Sequence, residues 1–254
     1  MLHNRVLGDP SGRPVLFLHP GNAAGLAWAD TVARIPGVAA HCPDLPGFGE
    51  SREIPLEDYG KSADALAHLM REGGVPTPIP VVGYSMGAYT GMMLTLRHPD
   101  LVSAALLNGF QVGPLKGAWW LIPFMYLISP VMTTRFMRVR SFRALGIGES
   151  GSWAPGPESP CDVPTLRRVG ALAARFDVRD RLPGLERPVT ALAGDREMPD
   201  IRESVARIAR DVPDARGLLA PGGHGWPAVE LDLFAETVSA WLDERPLPAA
   251  LKPA

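Results

Sequence analysis

The chain has 254 residues, 46% of them hydrophobic and 20% charged, with a formal net charge of −2 and a pI near 6.3. That is enough apolar material for one large domain with a sizeable core, and it excludes a disordered chain. The near balance of charge excludes nucleic acid as the expected partner, because phosphate binding leaves a basic excess or stripe.

Met1–Val6 has no basic segment leading into an apolar run, so no secretory leader is expected. Pro14–His19 is a short continuous apolar run, the pattern of a strand buried on both faces of a parallel sheet. The same pattern recurs at Val38–Cys42, Ile79–Val82, Val102–Leu107, Val189–Ala193 and Arg216–Leu219. Helical spacing fills the gaps: Ala63–Met70, then Met86–Arg97, closed by His98-Pro99. Ile201, Val205 and Ile208 fall at i, i+4 and i+7, and Leu231, Phe234, Val238, Trp241 and Leu242 line one helical face. Strand alternating with helix predicts an α/β fold, a mostly parallel sheet with helices on both faces.

One stretch breaks the alternation. From Gln111 to Arg168 no strand pattern occurs; apolar helical fragments, a basic interval (Arg135, Arg138, Arg140, Arg143) and a Gly/Ser/Pro-rich link at Gly146–Pro160 stand there instead. The expected organisation is therefore a core of residues 1–110 and 169–245, a helical cap or lid at 111–168, and a flexible tail at 246–254. The apolar run Trp119–Met132 is too short to span a bilayer and holds Pro123 and Pro130, so no stable membrane insertion is expected. Cys42 and Cys161 have no paired spacing, which favours reduced thiols and a cytoplasmic location.

The sharpest chemical signal is Gly83-Tyr-Ser85-Met-Gly87, between a strand run and a helix run. Glycines at these positions permit a tight, strained turn that lifts a serine hydroxyl above the sheet edge, which makes Ser85 the candidate nucleophile. A serine hydroxyl needs a base within hydrogen-bond reach. Of six histidines, His224 lies in the glycine-rich loop Pro221-Gly-Gly-His224-Gly after the last strand run, at the same sheet edge. His98 reads as a helix cap. The orienting acid should come from the loop after the penultimate strand, where Asp195, Glu197 and Asp200 are all candidates and Asp200 can also cap the next helix.

Four segments together resemble the α/β-hydrolase superfamily over nearly the whole chain: Leu18-His19-Pro-Gly21-Asn22, Asp44-Leu-Pro46-Gly47-Phe-Gly49-Glu-Ser51, the turn at Ser85, and Gly-Gly-His224-Gly. The resemblance implies an α/β-hydrolase sheet with a helical cap, and a structural turn at Asp44–Ser51. It puts Glu197 in the acid position, with glutamate where aspartate is usual. It implies an oxyanion hole from the backbone N–H of Met86 and of Gly21, since Pro20 has no N–H to give.

The cap's apolar residues, among them Trp119, Trp120, Phe124, Met125 and Tyr126, can line an acyl pocket over Ser85 or form a core of their own. The expected activity is hydrolysis of a carboxylic ester or related small, apolar acyl compound through an acyl-enzyme, with no metal or organic cofactor. Thioesterase, carbon–carbon hydrolase, perhydrolase, lyase or cyclase chemistry, and a non-catalytic receptor, share these residues. Dehalogenase and epoxide-hydrolase chemistry would need an aspartate where Ser85 stands.

Overall fold

The computed structural model describes residues 1–156 and 160–254, so Pro157–Ser159 of the predicted link lie outside the described residues. Eight strands form one sheet: β1 (Asn4–Gly8), β2 (Arg13–Leu18), β3 (Val38–Pro43), β4 (Ile79–Tyr84), β5 (Val102–Asn108), β6 (Val189–Gly194), β7 (Arg216–Ala220) and β8 (Lys252–Pro253). Their spatial order is β1-β3-β2-β4-β5-β6-β7-β8; β2 through β7 run parallel, and the two edge strands are antiparallel.

The helices are α1 (Ala29–Val32), α2 (Tyr59–Glu72), α3 (Met86–Arg97), α4 (Ala118–Met132), α5 (Arg135–Ala144), α6 (Val163–Arg175), α7 (Pro199–Asp211), α8 (Trp226–Val229) and α9 (Leu231–Leu242). Successive strand residues point to opposite faces, so each continuous apolar run supplies two cores. On one face Leu16, Leu18, Val81 and Leu107 pack against α2, α3 and α7 through Leu66, Met92, Val205 and Ile208. On the other, Val15, Phe17, Val82 and Leu106 meet Trp28, Phe234 and Val238. Parallel strands buried on both sides need this double apolar supply.

Two parts of the expected organisation are corrected. The tail at 246–254 is held: Leu251 is buried in the second core, and β8 pairs with β7 as Leu218↔Pro253 and Leu219↔Lys252. Hydrogen-bonding the otherwise open edge of β7 satisfies backbone groups that a loose tail would leave to solvent. Residue 168 makes no domain boundary either, because it falls inside α6. The far half of that helix packs on the core through Val169, Leu172 and Ala173, so α6 joins the cap segment to the sheet.

Candidate active site

β4 ends at Tyr84 and α3 begins at Met86, leaving Ser85 alone at the turn with φ 52° and ψ −115°. A non-glycine residue with positive φ is strained, and the surroundings must enforce it. Here they do. A Cβ on Gly83 would lie 2.7 Å from the Gly87 carbonyl oxygen, and one on Gly87 would fall on the Leu18 carbonyl. Only glycine allows strand, turn and helix to approach this closely. The Ser85 N–H donates to the Asn108 carbonyl at 2.8 Å, and the Ser85 carbonyl accepts from Ala88 N–H at 2.8 Å.

The acid and histidine loops leave neighbouring strands β6 and β7 and are laced together. Asp195 N–H donates to Ala220 O (2.7 Å), Arg196 N–H to Gly222 O (2.8 Å), and Gly222 N–H to the Asp195 carboxylate (2.9 Å). This lacing aims two side chains. The Glu197 Oε2 lies 2.9 Å from His224 Nδ1, and His224 Nε2 lies 3.0 Å from Ser85 Oγ. A carboxylate can only accept, so Nδ1 carries the proton and Nε2 is left to accept from the serine hydroxyl. Glu197 is buried, His224 and Ser85 partly exposed.

Of the three candidate acids the structure brings only Glu197 to the imidazole. Asp195 is exposed and braces the histidine loop; Asp200 sits in the first turn of α7, 3.5 Å from Lys116 Nζ. The expected capping by Asp200 does not occur: α7 starts at Pro199 after Met198, with no side-chain cap. His98 does end α3 as its C-cap, its backbone N–H donating to Leu94 O at 2.9 Å, while its Nε2 lies 2.8 Å from Asp64 Oδ1.

The loop after β2 lies against the turn. A Cβ on Gly21 would sit 3.9 Å from the Met86 Cβ and 3.2 Å from Val169 of α6. Among the described residues neither the Met86 nor the Gly21 N–H has a protein acceptor. His19 holds this loop from inside: it is fully buried, its Nδ1 2.9 Å from Pro20 O and its Nε2 accepting from Leu45 N–H at 2.9 Å. Burial pushes its pKa down to about 4, against the smaller pull of the Pro20 carbonyl and of Asp44. Asp44 answers the turn expectation. Burial alone would raise its pKa, but N–H groups of Glu50 (2.9 Å) and Gly25 (2.7 Å) and the nearby Arg5 guanidinium hold it below the usual value.

Sequence reasoning missed two supports. Tyr84 sets its ring 5.4 Å from the His224 ring, tilted by 42°, and donates its hydroxyl to the His224 carbonyl at 2.7 Å. Asn108 accepts from Ser85 N–H on its backbone and from Trp226 Nε1 on its side chain at 2.7 Å. Tyr84 occupies a variable position of the turn motif, so no spacing flags it. Asn108 ends a buried strand, and a buried polar group there was the available signal.

The cap expectation needs correction. Trp119, Trp120 and Phe124 form no buried core of the cap; they are 83%, 53% and 51% exposed. α4 turns its other face to α6, where Arg167 Nε donates to Ser129 Oγ at 2.7 Å and Arg167 also donates to Tyr126 O. The opening beside the site is instead a groove of about 710 Å³ between the end of α5 and the histidine loop. Its walls include Leu145, Met198, Ile201 and Val229 beside Glu197 and His224, with Arg196 and Glu230 adding charge. Ser85 is not in its lining; the hydroxyl meets His224 at the ring's other nitrogen. No described group of His, Cys, Asp and Glu could hold a metal ion.

A sequence profile described as alpha/beta hydrolase fold matches residues 13–124, a span that holds Ser85 but neither Glu197 nor His224. The sheet order and the solved structures extend the likeness to nearly the whole chain. The chain has the α/β-hydrolase fold. An esterase of Exiguobacterium antarcticum superposes with a TM-score of 0.79 at 19% identity, covering 95% of each chain. Among relatives in sequence, the pimeloyl-[acyl-carrier protein] methyl ester esterase of Vibrio campbellii is 32% identical over 103 residues, 40% of this chain and 38% of that one. The 2-hydroxy-6-oxo-6-(2'-aminophenyl)hexa-2,4-dienoic acid hydrolase of Metapseudomonas resinovorans is 27% identical over 113 residues, 42% of this chain and 39% of that one. The match thus spans less than two fifths of the length of both relatives.

Proposed function

We propose that this α/β-hydrolase-fold protein is a serine hydrolase that cleaves a small carboxylic ester or related acyl compound through an acyl-enzyme. The observation that carries the reading is the unbroken chain of contacts Glu197–His224–Ser85, 2.9 Å and 3.0 Å long, on a turn whose strain points the hydroxyl outward. His224 Nε2 takes the proton from Ser85 Oγ as the oxygen attacks the carbonyl carbon. Glu197 stabilises the imidazolium that forms and keeps the ring oriented. The N–H groups of Met86 and Gly21 receive the developing oxyanion, each donor worth about 3 kcal/mol in such sites. The tetrahedral intermediate collapses, His224 returns the proton to the departing alcohol, and water repeats the sequence on the acyl-enzyme.

The relatives support this reading in kind: two are named a methyl ester esterase and a dienoic acid hydrolase. The groove beside His224 is walled by Leu145, Met198, Ile201 and Val229, which suits an apolar portion of the substrate. No described helix is long and apolar enough to cross a membrane; the reading of a cytoplasmic enzyme is supported by the two cysteines, Cys42 and Cys161, whose spacing marks no disulfide framework.

The test is covalent labelling by a fluorophosphonate together with turnover of p-nitrophenyl acetate and butyrate. Labelling and turnover that both vanish in Ser85→Ala support the proposal. Undiminished labelling or turnover in Ser85→Ala overturns it, and tight ligand binding without turnover by the unmodified protein would favour a receptor.

A further inference from the structure

α4 presents its unburied side as a contiguous apolar strip. Trp119, Trp120, Phe124, Leu127 and Val131 fall within about 140° of arc on a helix of 3.6 residues per turn, and they are between 51% and 83% exposed. A strip holding two tryptophans is larger than scattered surface apolar groups account for. The opposite side of α4 is already engaged with α6, so the strip has no use within the fold.

The second observation is charge. Between Gln111 and Gly148 there are five basic residues and no acidic one, in a chain whose formal charge is −2. Three of these, Arg135, Arg140 and Arg143, line an open groove of about 720 Å³ along α5 together with Phe136 and Val139. Phe136 is 73% exposed. Arg143 pairs with Glu149 at the groove's edge, while Arg135 and Arg140 have no carboxylate partner among the described residues. Val131 of the strip and Arg135 of the groove are separated only by Met132, Thr133 and Thr134.

We infer that the α4–α5 face docks on the surface of a bilayer containing anionic phospholipid. Tryptophan, phenylalanine and leucine enter the boundary between headgroups and acyl chains, and the arginines of α5 take the lipid phosphates. α4 is 15 residues long, about 22 Å, against a hydrocarbon core of about 30 Å, so it lies in the interface and does not cross it. In a two-fold dimer a second copy would offer this face only its own cations in return, whereas an anionic lipid surface offers the phosphates that Arg135 and Arg140 lack.

The inference concerns where the protein sits and stands apart from the chemistry at Ser85. Its test is flotation of the full chain with phosphatidylcholine vesicles, with and without 30% phosphatidylglycerol, following tryptophan emission. Support is binding to the anionic vesicles with a blue shift, weakened by salt. Arg135→Glu with Arg140→Glu should weaken it at least about tenfold, since each cation near such a surface contributes roughly 1 kcal/mol. Trp119→Ser with Phe124→Ser should abolish the blue shift, and circular dichroism should report both variants folded. Ser85→Ala should bind as the unmodified protein does; vesicle binding by an unmodified protein that turns over no ester would refute the proposed chemistry and leave this inference standing. Absence of binding at low salt, or binding unchanged in both surface variants, overturns it. So does concentration-dependent self-association that Trp119→Ser with Phe124→Ser abolishes, which would assign the face to a second copy.

Discussion

The rim of the sheet and the cap are built on opposite terms. At the rim, three side chains from three loops meet within 3.0 Å because each loop is tied by backbone hydrogen bonds: Ser85 to Asn108, Asp195 to Ala220, Arg196 to Gly222. Glycines remove the Cβ atoms that would hold these segments apart. In the cap, α4 keeps its largest apolar groups outside and meets α6 along one side only. Dense lacing gives the positional accuracy that catalysis needs, while the cap carries apolar area for something beyond the chain.

The contrast can be broken by experiment. The largest effect should follow Ser85→Ala, which should lower kcat by about 10⁴–10⁶-fold in steady-state assays with little change in stability. Glu197→Gln comes next, at roughly 10³–10⁴-fold in kcat, because an amide facing Nδ1 favours the wrong tautomer. Asp195→Asn should cost less than about tenfold by slackening the histidine loop, and the reverse ranking would move the acid. Gly87→Ala tests the rim's lacing: its Cβ would strike the Leu18 carbonyl, for an expected loss on the order of 3 kcal/mol in urea unfolding.

A smaller effect should come from pH. His19 has a folded pKa of about 4, below the 6.5 of an ordinary imidazole, so between these values the folded state binds fewer protons than the unfolded one. The stability tied to its neutral form is whole above about pH 6.5 and is lost as pH falls toward 4. Unfolding at pH 4.5 should therefore show a loss on the order of 2–3 kcal/mol from this group relative to pH 7. A stability curve flat across that window in the unmodified protein would contradict the buried neutral imidazole. Smallest of all, Trp119→Ser with Phe124→Ser should change unfolding stability in solution by less than about 0.5 kcal/mol. A loss above 2 kcal/mol would mean that the cap face is packed like the rim.

Six parallel strands were legible because a strand covered on both faces must be largely apolar, as Val15–Leu18 is throughout and Val189–Ala193 is but for Thr190. The edge strands were not. β1 reads Asn-Arg-Val-Leu-Gly and β8 is a Lys-Pro pair, and their pairing comes from the neighbour strands' open hydrogen-bonding edges. Ser85 and His224 could be found because the glycines around them record backbone constraints locally. The three carboxylates between β6 and the first turn of α7 could not be separated that way, since Asp195, Glu197 and Asp200 differ by a few residues of chain and by everything in direction.

By itself, the sequence determined the alternation of elements, the strained turn at Ser85 and the loop that carries His224, all written in contiguous residues through burial and backbone permission. Tertiary structure alone decided that the tail closes the sheet's far edge and that Trp119, Trp120 and Phe124 turn outward, and it brings to the imidazole the Glu197 that only the family resemblance had singled out. Those outcomes depend on which surfaces meet across long stretches of chain. An apolar side chain satisfies a buried pocket and a docking face equally well until packing has assigned it a neighbour.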